Sequence, residues 1–559
     1  MSSVYASYAT WYYVSMRFLR SLAILLASST YFLASIPVHA TGEFTTAFTS
    51  TYVVGDSTTT HVSHDISITN NLAHIYTTSY TLSVGSDKVT NINASDEKGT
   101  LSAAVDKNGA ATTITINIPD PAMGQGKTKH LQVSYDTPDI AEVIGNTATV
   151  NIPRLYRGNE IAAYSRVIIV PHSFPPLTIV SPQPSSTSEL QDGTMSYTFV
   201  GHPEDSISLL FGSSVTYQLS LAYDIQNPTY SAGDTEIALP PDTPYQHIAI
   251  ASLDPAPTTI RVDADGNWLA IYPLGSRATE KVHATLFATV YPNPEGVDPG
   301  MVTSTLTAPQ KYWETGDSSV QSLARALVSP ENIYNYLVDN FRYNYHRVAV
   351  GATRLGAAGA LASPTDAICT EFTDTFVALS RAGGIPAREI DGYAYSKNDT
   401  LHPLSVETDV LHAWPEYYDA GNAVWQEVDP TWGNTTGGID YFHKLDFSHI
   451  AFVRHGIESA YPYPAGAYKG TADEKQVQVT VVASMPSEDS SYRVLPGGVI
   501  RNTGTVAMVN RQVKVGDTTV TVPYLPPYGE FTPPVAKTSQ WSLASIVFAI
   551  RDFLKKLLP

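Results

Sequence analysis

Short runs in which apolar and polar residues alternate fill the chain from about Glu43 to Tyr291, as in Ile66-Ser67-Ile68, Leu131-Gln132-Val133 and Tyr217-Gln218-Leu219-Ser220-Leu221. A period of two, broken often by Gly, Pro, Asn and Asp, predicts strands with one buried face arranged in sandwich-like domains. Pro203-Glu204-Asp205 and Phe211-Gly212 interrupt two such blocks and predict a boundary near Ser213. Asp263-Ala264-Asp265-Gly266-Asn267 has the outline of a calcium loop, but its glycine is misplaced and no Glu closes it, so a hairpin turn is expected. The period changes near Gln321, where Leu323, Ala326, Leu327, Ile333, Tyr336 and Leu337 recur at helical spacing around a break at Pro330. Strand patterning returns after Tyr468, in Val477-Gln478-Val479-Thr480-Val481 and Val513-Lys514-Val515, and predicts a small C-terminal β-sandwich. Pro526-Pro527-Tyr528-Gly529 and Pro533-Pro534 then make an extended linker.

A chain of 559 residues exceeds one hydrophobic core, and about 150 residues per domain predicts three or four. The patterning divides it into a signal segment (1–40), β-rich blocks at 41–213 and 214–305, a mixed and candidate catalytic block at 306–468, a β-sandwich at 469–525, a linker at 526–538 and a helix at 539–559. The net charge of -19 comes without a Lys/Arg-rich block, so the field repels phosphate backbones and nucleic acid is excluded as a partner. Arg17 and Arg20 precede an apolar run from Leu22 to Leu33, then Pro37 and Val38-His39-Ala40, which reads as a secretory signal cleaved after Ala40, with translation starting at Met16. Export is therefore expected: secreted, periplasmic or cell-surface. An exported chain with one cysteine has no internal disulfide, so Cys369 is either a small buried apolar residue or a reactive thiol.

Its surroundings favour the second. Ser363 and Asp366 resemble a capping box with Pro364 at the first helical position, and Ile368, Phe372, Phe376 and Leu379 form an apolar stripe that Gly383-Gly384 and Pro386 terminate. Cys369 then sits in or near the first turn, where the helix dipole stabilises a thiolate. Downstream, residues 411–418 and 423–429 predict an antiparallel hairpin around Asp419-Ala420-Gly421-Asn422. Pairing Tyr418 with Ala423 sets His412 opposite Asp429, within reach of an imidazole–carboxylate hydrogen bond. Pro415 cannot donate to a ladder, so an edge or a bulge is expected there. A thiol, a base and a carboxylate that orients the base form a set for nucleophilic catalysis.

Cys369-Thr370-Glu371-Phe372, Ala378-Leu379-Ser380-Arg381-Ala382-Gly383-Gly384-Ile385-Pro386-Ala387-Arg388, Leu411-His412-Ala413-Trp414-Pro415-Glu416 and Trp425-Gln426-Glu427-Val428-Asp429-Pro430-Thr431-Trp432 together resemble the transglutaminase-like superfamily over about residues 320–468. The resemblance implies an α+β fold with a papain-like core, Cys369 as nucleophile, His412 as general base and acid, and Asp429 as the residue orienting the imidazole. It implies acyl transfer through a thioester from a protein or peptide amide, resolved by water or by an amine. The family's oxyanion donor lies upstream of the cysteine. Tyr345 is the candidate for it here, with a packing tyrosine as the alternative. No cofactor or metal is expected, since His443, His449 and His455 lack tight ligand spacing. The rival class is a catalytically silent surface binding module. The tail from Ser539 is amphipathic, and its apolar face either docks on the protein's own β-domains or lies on a membrane surface through Trp541, Lys555 and Lys556.

Overall fold

In the strand Phe44–Val54 every second residue is buried, from Phe44 through Phe48 and Tyr52 to Val54, which is the outcome that alternation predicts for a sheet with one face on a core. The computed structural model describes residues 5–7, 42–108, 111–155, 161–348, 353–396, 398, 401–403, 411–468 and 475–534. Apart from 5–7, the expected signal segment lies outside the described residues, and so does the amphipathic tail. Phe44–Val54 pairs antiparallel with Thr60–Asn70 and parallel with Ile161–Val170 inside an eight-stranded sheet. Two four-stranded sheets close over the same core, contributing Leu82, Ile114 and Ile116 from one and Val150, Ile152 and Leu209 from the other.

A separate core gathers Tyr217, Leu219, Trp268 and Leu286. Its central strand, Val215–Gln226, is flanked by Thr279–Val290 on one side and by Val477–Val482 on the other. The latter strand, which the sequence places in the C-terminal block, thus extends the second β-rich block. Val477, Val479 and Val481 stand opposite Leu221, Leu219 and Tyr217, so one apolar face continues across the join. The C-terminal hairpin Met508–Val515 with Thr518–Leu525 keeps a small core of its own around Met508, Val513 and Val522. Thr259–Val262 and Trp268–Leu274 form the expected hairpin, with Gly266 in the left-handed region at φ 85°.

Between these blocks lies the mixed layer. Asp317 caps α1 (Ser318–Leu327), and Ser329 caps α2 (Pro330–Asn340), whose first residue is the proline that ended the preceding helix. After α3 (Gly356–Ala362) comes α4 (Cys369–Ala382), buried at every residue from Glu371 to Arg381. A helix buried all round is a central helix. It packs across an antiparallel sheet of order β3-β2-β1-β4, made of β1 (Ala387–Ala394), β2 (Leu411–Asp419), β3 (Val424–Glu427) and β4 (His449–His455), with α5 (Pro430–Thr435) beside it. The fold is α+β, as the resemblance implies. Among the described residues no helix is long and apolar enough to cross a membrane.

The outer edge of β4 is closed by side chains of the second β-rich block. Gln246 exchanges both amide groups with the backbone of Ala451, at 2.8 and 2.9 Å, and Asn267 does the same with Arg454, at 2.8 and 2.7 Å. Asp298 bridges buried Arg388 on β1 (2.9 Å) and buried Arg454 on β4 (2.7 Å), and Arg388 also bonds Glu416 on β2. Burial alone would push the Asp298 carboxyl up, but the charges of Arg454 and Arg388 override it and hold it at about 2. Such a depressed carboxyl contributes stability above its ordinary pKa of 3.8 and loses it as pH falls through about 2. Asp298→Asn leaves two buried guanidinium groups short of a charge and is expected to cost about 3 kcal/mol in urea unfolding at neutral pH. The difference from the parent protein should shrink as the pH is lowered toward 2, and a pH-independent difference would contradict the charge assignment.

Candidate active site

Ser363 lies just past α3, and α4 begins at Cys369 rather than at Pro364. The reason is Glu371, whose Oε2 accepts from the Ile368 N–H at 3.0 Å and closes the helix start one residue before the cysteine. Its Oε1 accepts from the Leu355 N–H at 2.9 Å, and Arg347 pairs with Oε2 at 3.2 Å. Cys369 is the first helical residue and is fully buried.

The register of the hairpin differs from the expectation by two residues. Tyr418 pairs with Trp425 and Asp419 with Val424, because Oδ1 of Asp419 accepts from the Gly421 and Asn422 N–H groups and Ala423 turns left-handed at φ 54°. A shift of two keeps each residue on its face. Pro415 lies within β2, paired with Glu389 of β1 without a bulge, and its nitrogen faces the side on which the ladder to β3 ends. On that side its carbonyl accepts from the Val428 N–H at 3.0 Å, and it has no N–H to return. The β2–β3 ladder therefore ends at Val428, and Asp429 turns off the strand to become the N-cap of α5, where its Oδ1 accepts from the Trp432 N–H at 3.0 Å.

From that cap Oδ2 of Asp429 reaches Nε2 of His412 at 2.9 Å, so the two residues meet as expected, although not as cross-strand partners. Both are buried. A carboxylate only accepts, so Nε2 carries the proton and Nδ1 of His412, which is buried without a hydrogen-bond partner, faces away from Asp429. The imidazole is stacked between Trp414 and Trp432, with centroids at 5.8 and 5.3 Å, and Trp414 Nε1 donates to Glu427 at 2.8 Å. The C-terminal end of α4 lies by the Tyr418 end of β2, where the Tyr418 N–H bonds the Pro386 carbonyl at 2.9 Å, and Phe376 stands against Tyr417. Its first residue, Cys369, therefore lies toward the His412 end.

Two residues that the sequence reading did not assign join this group. His449, set aside above as a scattered histidine, bonds Asp429 Oδ2 through Nε2 at 3.2 Å and Asp446 Oδ1 through Nδ1 at 2.8 Å. The spacing Asp446-x-x-His449 was its only signal. Tyr343 is buried, its hydroxyl has no hydrogen-bond partner, and its pKa is raised by burial and then by the charge of Cys369. Tyr345, the earlier candidate, is 47% exposed and packs edge-on against Tyr343 at 4.9 Å. His443 is exposed, and His455 bonds Glu389 and the Pro462 carbonyl at some remove. His412, Asp429 and His449 each offer a ligand atom within 4.8 Å of the others, as do Glu389, Asp391 and His455. In the first group His449 spends both ring nitrogens on carboxylates, and in the second Arg354 holds Glu389 at 2.8 and 2.7 Å, so each is a hydrogen-bonded network in which a cation meets an existing positive charge.

Part of the segment carrying these residues has a counterpart among known families. Residues 319–430 match the transglutaminase-like superfamily. The match spans Cys369, His412 and Asp429. Solved structures similar to the chain include a candidate cysteine protease of Cytophaga hutchinsonii (16% identity over 49% of this chain and 93% of that one, TM-score 0.32). The periplasmic domain of TgpA from Pseudomonas aeruginosa is similar at 16% identity, over 41% of this chain and 92% of that one, with TM-score 0.24. A candidate protease of Parabacteroides distasonis is 12% identical over 73% and 72% of the two chains, with TM-score 0.22. No curated protein matches.

Within the segment that matches the transglutaminase-like superfamily, Glu371 is the residue that fixes where the cysteine helix starts. Glu371→Ala removes the acceptor of two backbone N–H groups and the partner of Arg347, and is expected to destabilise the protein by about 2–3 kcal/mol in urea unfolding. Alkylation of Cys369 by iodoacetamide should also change rate in the folded variant, and an unchanged rate would show that the cap does not position the thiol.

Proposed function

We propose that this chain is an exported cysteine enzyme that forms a thioester from a protein or peptide amide. Cys369 Sγ gives its proton to Nδ1 of His412 and attacks the amide carbonyl carbon, whose π electrons move onto oxygen. Collapse of that tetrahedral species breaks the C–N bond, and the leaving nitrogen takes the proton from Nδ1. Water or an amine then attacks the thioester, giving its proton to Nδ1, and the departing sulfur recovers it. Asp429 keeps Nε2 protonated throughout and so presents Nδ1 in the tautomer the reaction needs. Tyr343 is better sited than Tyr345 to donate to the developing oxyanion, since its buried hydroxyl has no other partner.

The observation that carries this reading is the His412 imidazole, held at Nε2 by a buried carboxylate with Nδ1 left without a partner, at the end of β2 toward which the cysteine helix starts. A silent binding module has no use for that arrangement. Cys369→Ala should abolish amide hydrolysis and amine transfer while the urea midpoint stays close to that of the parent, and turnover by this variant would sink the assignment. Asp429→Asn is expected to lower kcat by about 10³–10⁴, through loss of the tautomer. Alkylation of Cys369 should persist well below the reference thiol pKa of about 8.5, whereas a midpoint at that value would show a thiol that is not activated.

A further inference from the structure

His449 lies between two carboxylates. Its Nε2 is 3.2 Å from Asp429 Oδ2 and its Nδ1 is 2.8 Å from Asp446 Oδ1. Ionised carboxylates donate nothing, so both ring nitrogens carry protons and the ring is an imidazolium. We propose that His449 is a permanently charged positioning residue that fixes the orienting Asp429 and lowers the proton affinity of the thiol–imidazole pair. The inference rests on the proposed roles of Cys369, His412 and Asp429.

Three observations support it. His449 is buried and makes ring contacts with Trp432, Trp414 and His412, at 4.5, 4.9 and 5.7 Å, so it has a single available pose. Asp429 takes N–H bonds from His412, His449 and Trp432, so His449 restrains the carboxylate from the side opposite the backbone cap. Asp446, in turn, is held by the Ser448 N–H at 2.7 Å and lines a cavity of about 520 Å³ between the mixed layer and the N-terminal β-rich block. Burial alone would push the His449 imidazole down, but the charge of Asp446 and the hydrogen bonds to Asp429 and Asp446 raise it to about 10. The other titratable groups around it are His412 on β2, Glu427 on β3, Tyr441 before β4, and His402, while buried Lys444 acts on its partner Asp446. Glu427 is pushed up by burial and by Glu416, and His402 is pushed down by burial, so neither offers a second full charge to the ring at neutral pH.

His449→Gln keeps a donor toward Asp429 and removes the charge. A buried positive charge 5.7 Å from His412 makes its neighbours release protons more readily. Its loss should therefore move both the acidic and the alkaline limb of the Cys369 alkylation profile to higher pH, by about one unit. A role confined to packing would change the rate without moving either limb, and unmoved limbs overturn the proposal. His449→Leu removes donor and charge together, and should lose at least ten times more kcat than His449→Gln, with KM less affected; equal losses overturn the orienting role. If the leucine variant does not fold, the profile of the glutamine variant decides alone. The parent profile separates the two levels of argument: an unactivated thiol in the parent sinks the proposed function, while an activated parent with an unshifted glutamine variant sinks only the role of His449. Loss of parent activity in EDTA with recovery on adding Zn²⁺ would assign His412, Asp429 and His449 to a metal and overturn the proposal as well.

Discussion

The buried carboxylate of Asp429 is the constraint on which the site depends. It takes N–H bonds from His412, His449 and the Trp432 backbone, and none of these donors has a solvent route that could replace it. Burial would push its proton affinity up, yet the charge and hydrogen bond of His412, reinforced by His449, hold it well below the usual carboxylate range. Backbone chemistry brings it there. Pro415 has no N–H with which to continue the β2–β3 ladder, so the chain leaves the sheet at Val428, and the next residue is free to cap α5 while its second oxygen faces the histidines. A feature that looks like a defect in a strand is the reason the carboxylate is there.

Around this centre the interior is charged to a degree unusual for a core. Arg354 joins Asp374 on α4 to Glu389 on β1, and Arg388 and Arg454 converge on Asp298 from the second β-rich block. Buried ion pairs of this kind add little net stability over apolar residues of the same size, but removing one partner is costly. Their effect is to specify one arrangement: the helix that starts with the cysteine cannot slide over the sheet that bears the histidine without breaking the Arg354 bridge. The accessory block is tied into the same specification by Gln246 and Asn267, which satisfy the outer backbone edge of β4 and so hold His449, the first residue of that strand, in register.

How much of this was legible in the sequence follows from what each part depends on. Alternation predicted the accessory strands because one-sided burial leaves a period of two, and helical spacing located α1 and α2 with their break at Pro330. The places of Cys369, His412 and Asp429 in the fold were legible because a helix start, a strand and a turn before proline each leave local marks. The register was misjudged by two residues because the Asp419 side chain lengthens the turn, a choice made by hydrogen bonds to Gly421 and Asn422 that strand patterning does not encode. The helix start was misplaced because Ser363 and Glu371 both suit a cap, and only the fold brings Arg347 and Leu355 to Glu371. His449 was passed over for the same reason. Its partners lie 20 residues back at Asp429 and three back at Asp446, and nothing local says that all three meet.

Three buried histidines show why partners rather than burial decide what such a ring does. His64, in the N-terminal block, meets only the hydroxyls of Ser50 at 2.8 Å and Tyr135 at 3.3 Å, and burial pushes its pKa down to about 4, so it stays neutral. His449 meets two carboxylates and stays charged. His412 meets one carboxylate at Nε2 and nothing at Nδ1, so one nitrogen is fixed and the other is left to exchange a proton. The base of the proposed reaction, which would take a proton from sulfur and return it to a leaving nitrogen, needs that intermediate condition. A second carboxylate would fill Nδ1, and hydroxyls alone would leave no charge to stabilise the imidazolium when it forms. By holding His412 with a single carboxylate and leaving the second to His449, the site keeps one nitrogen of its proposed base open.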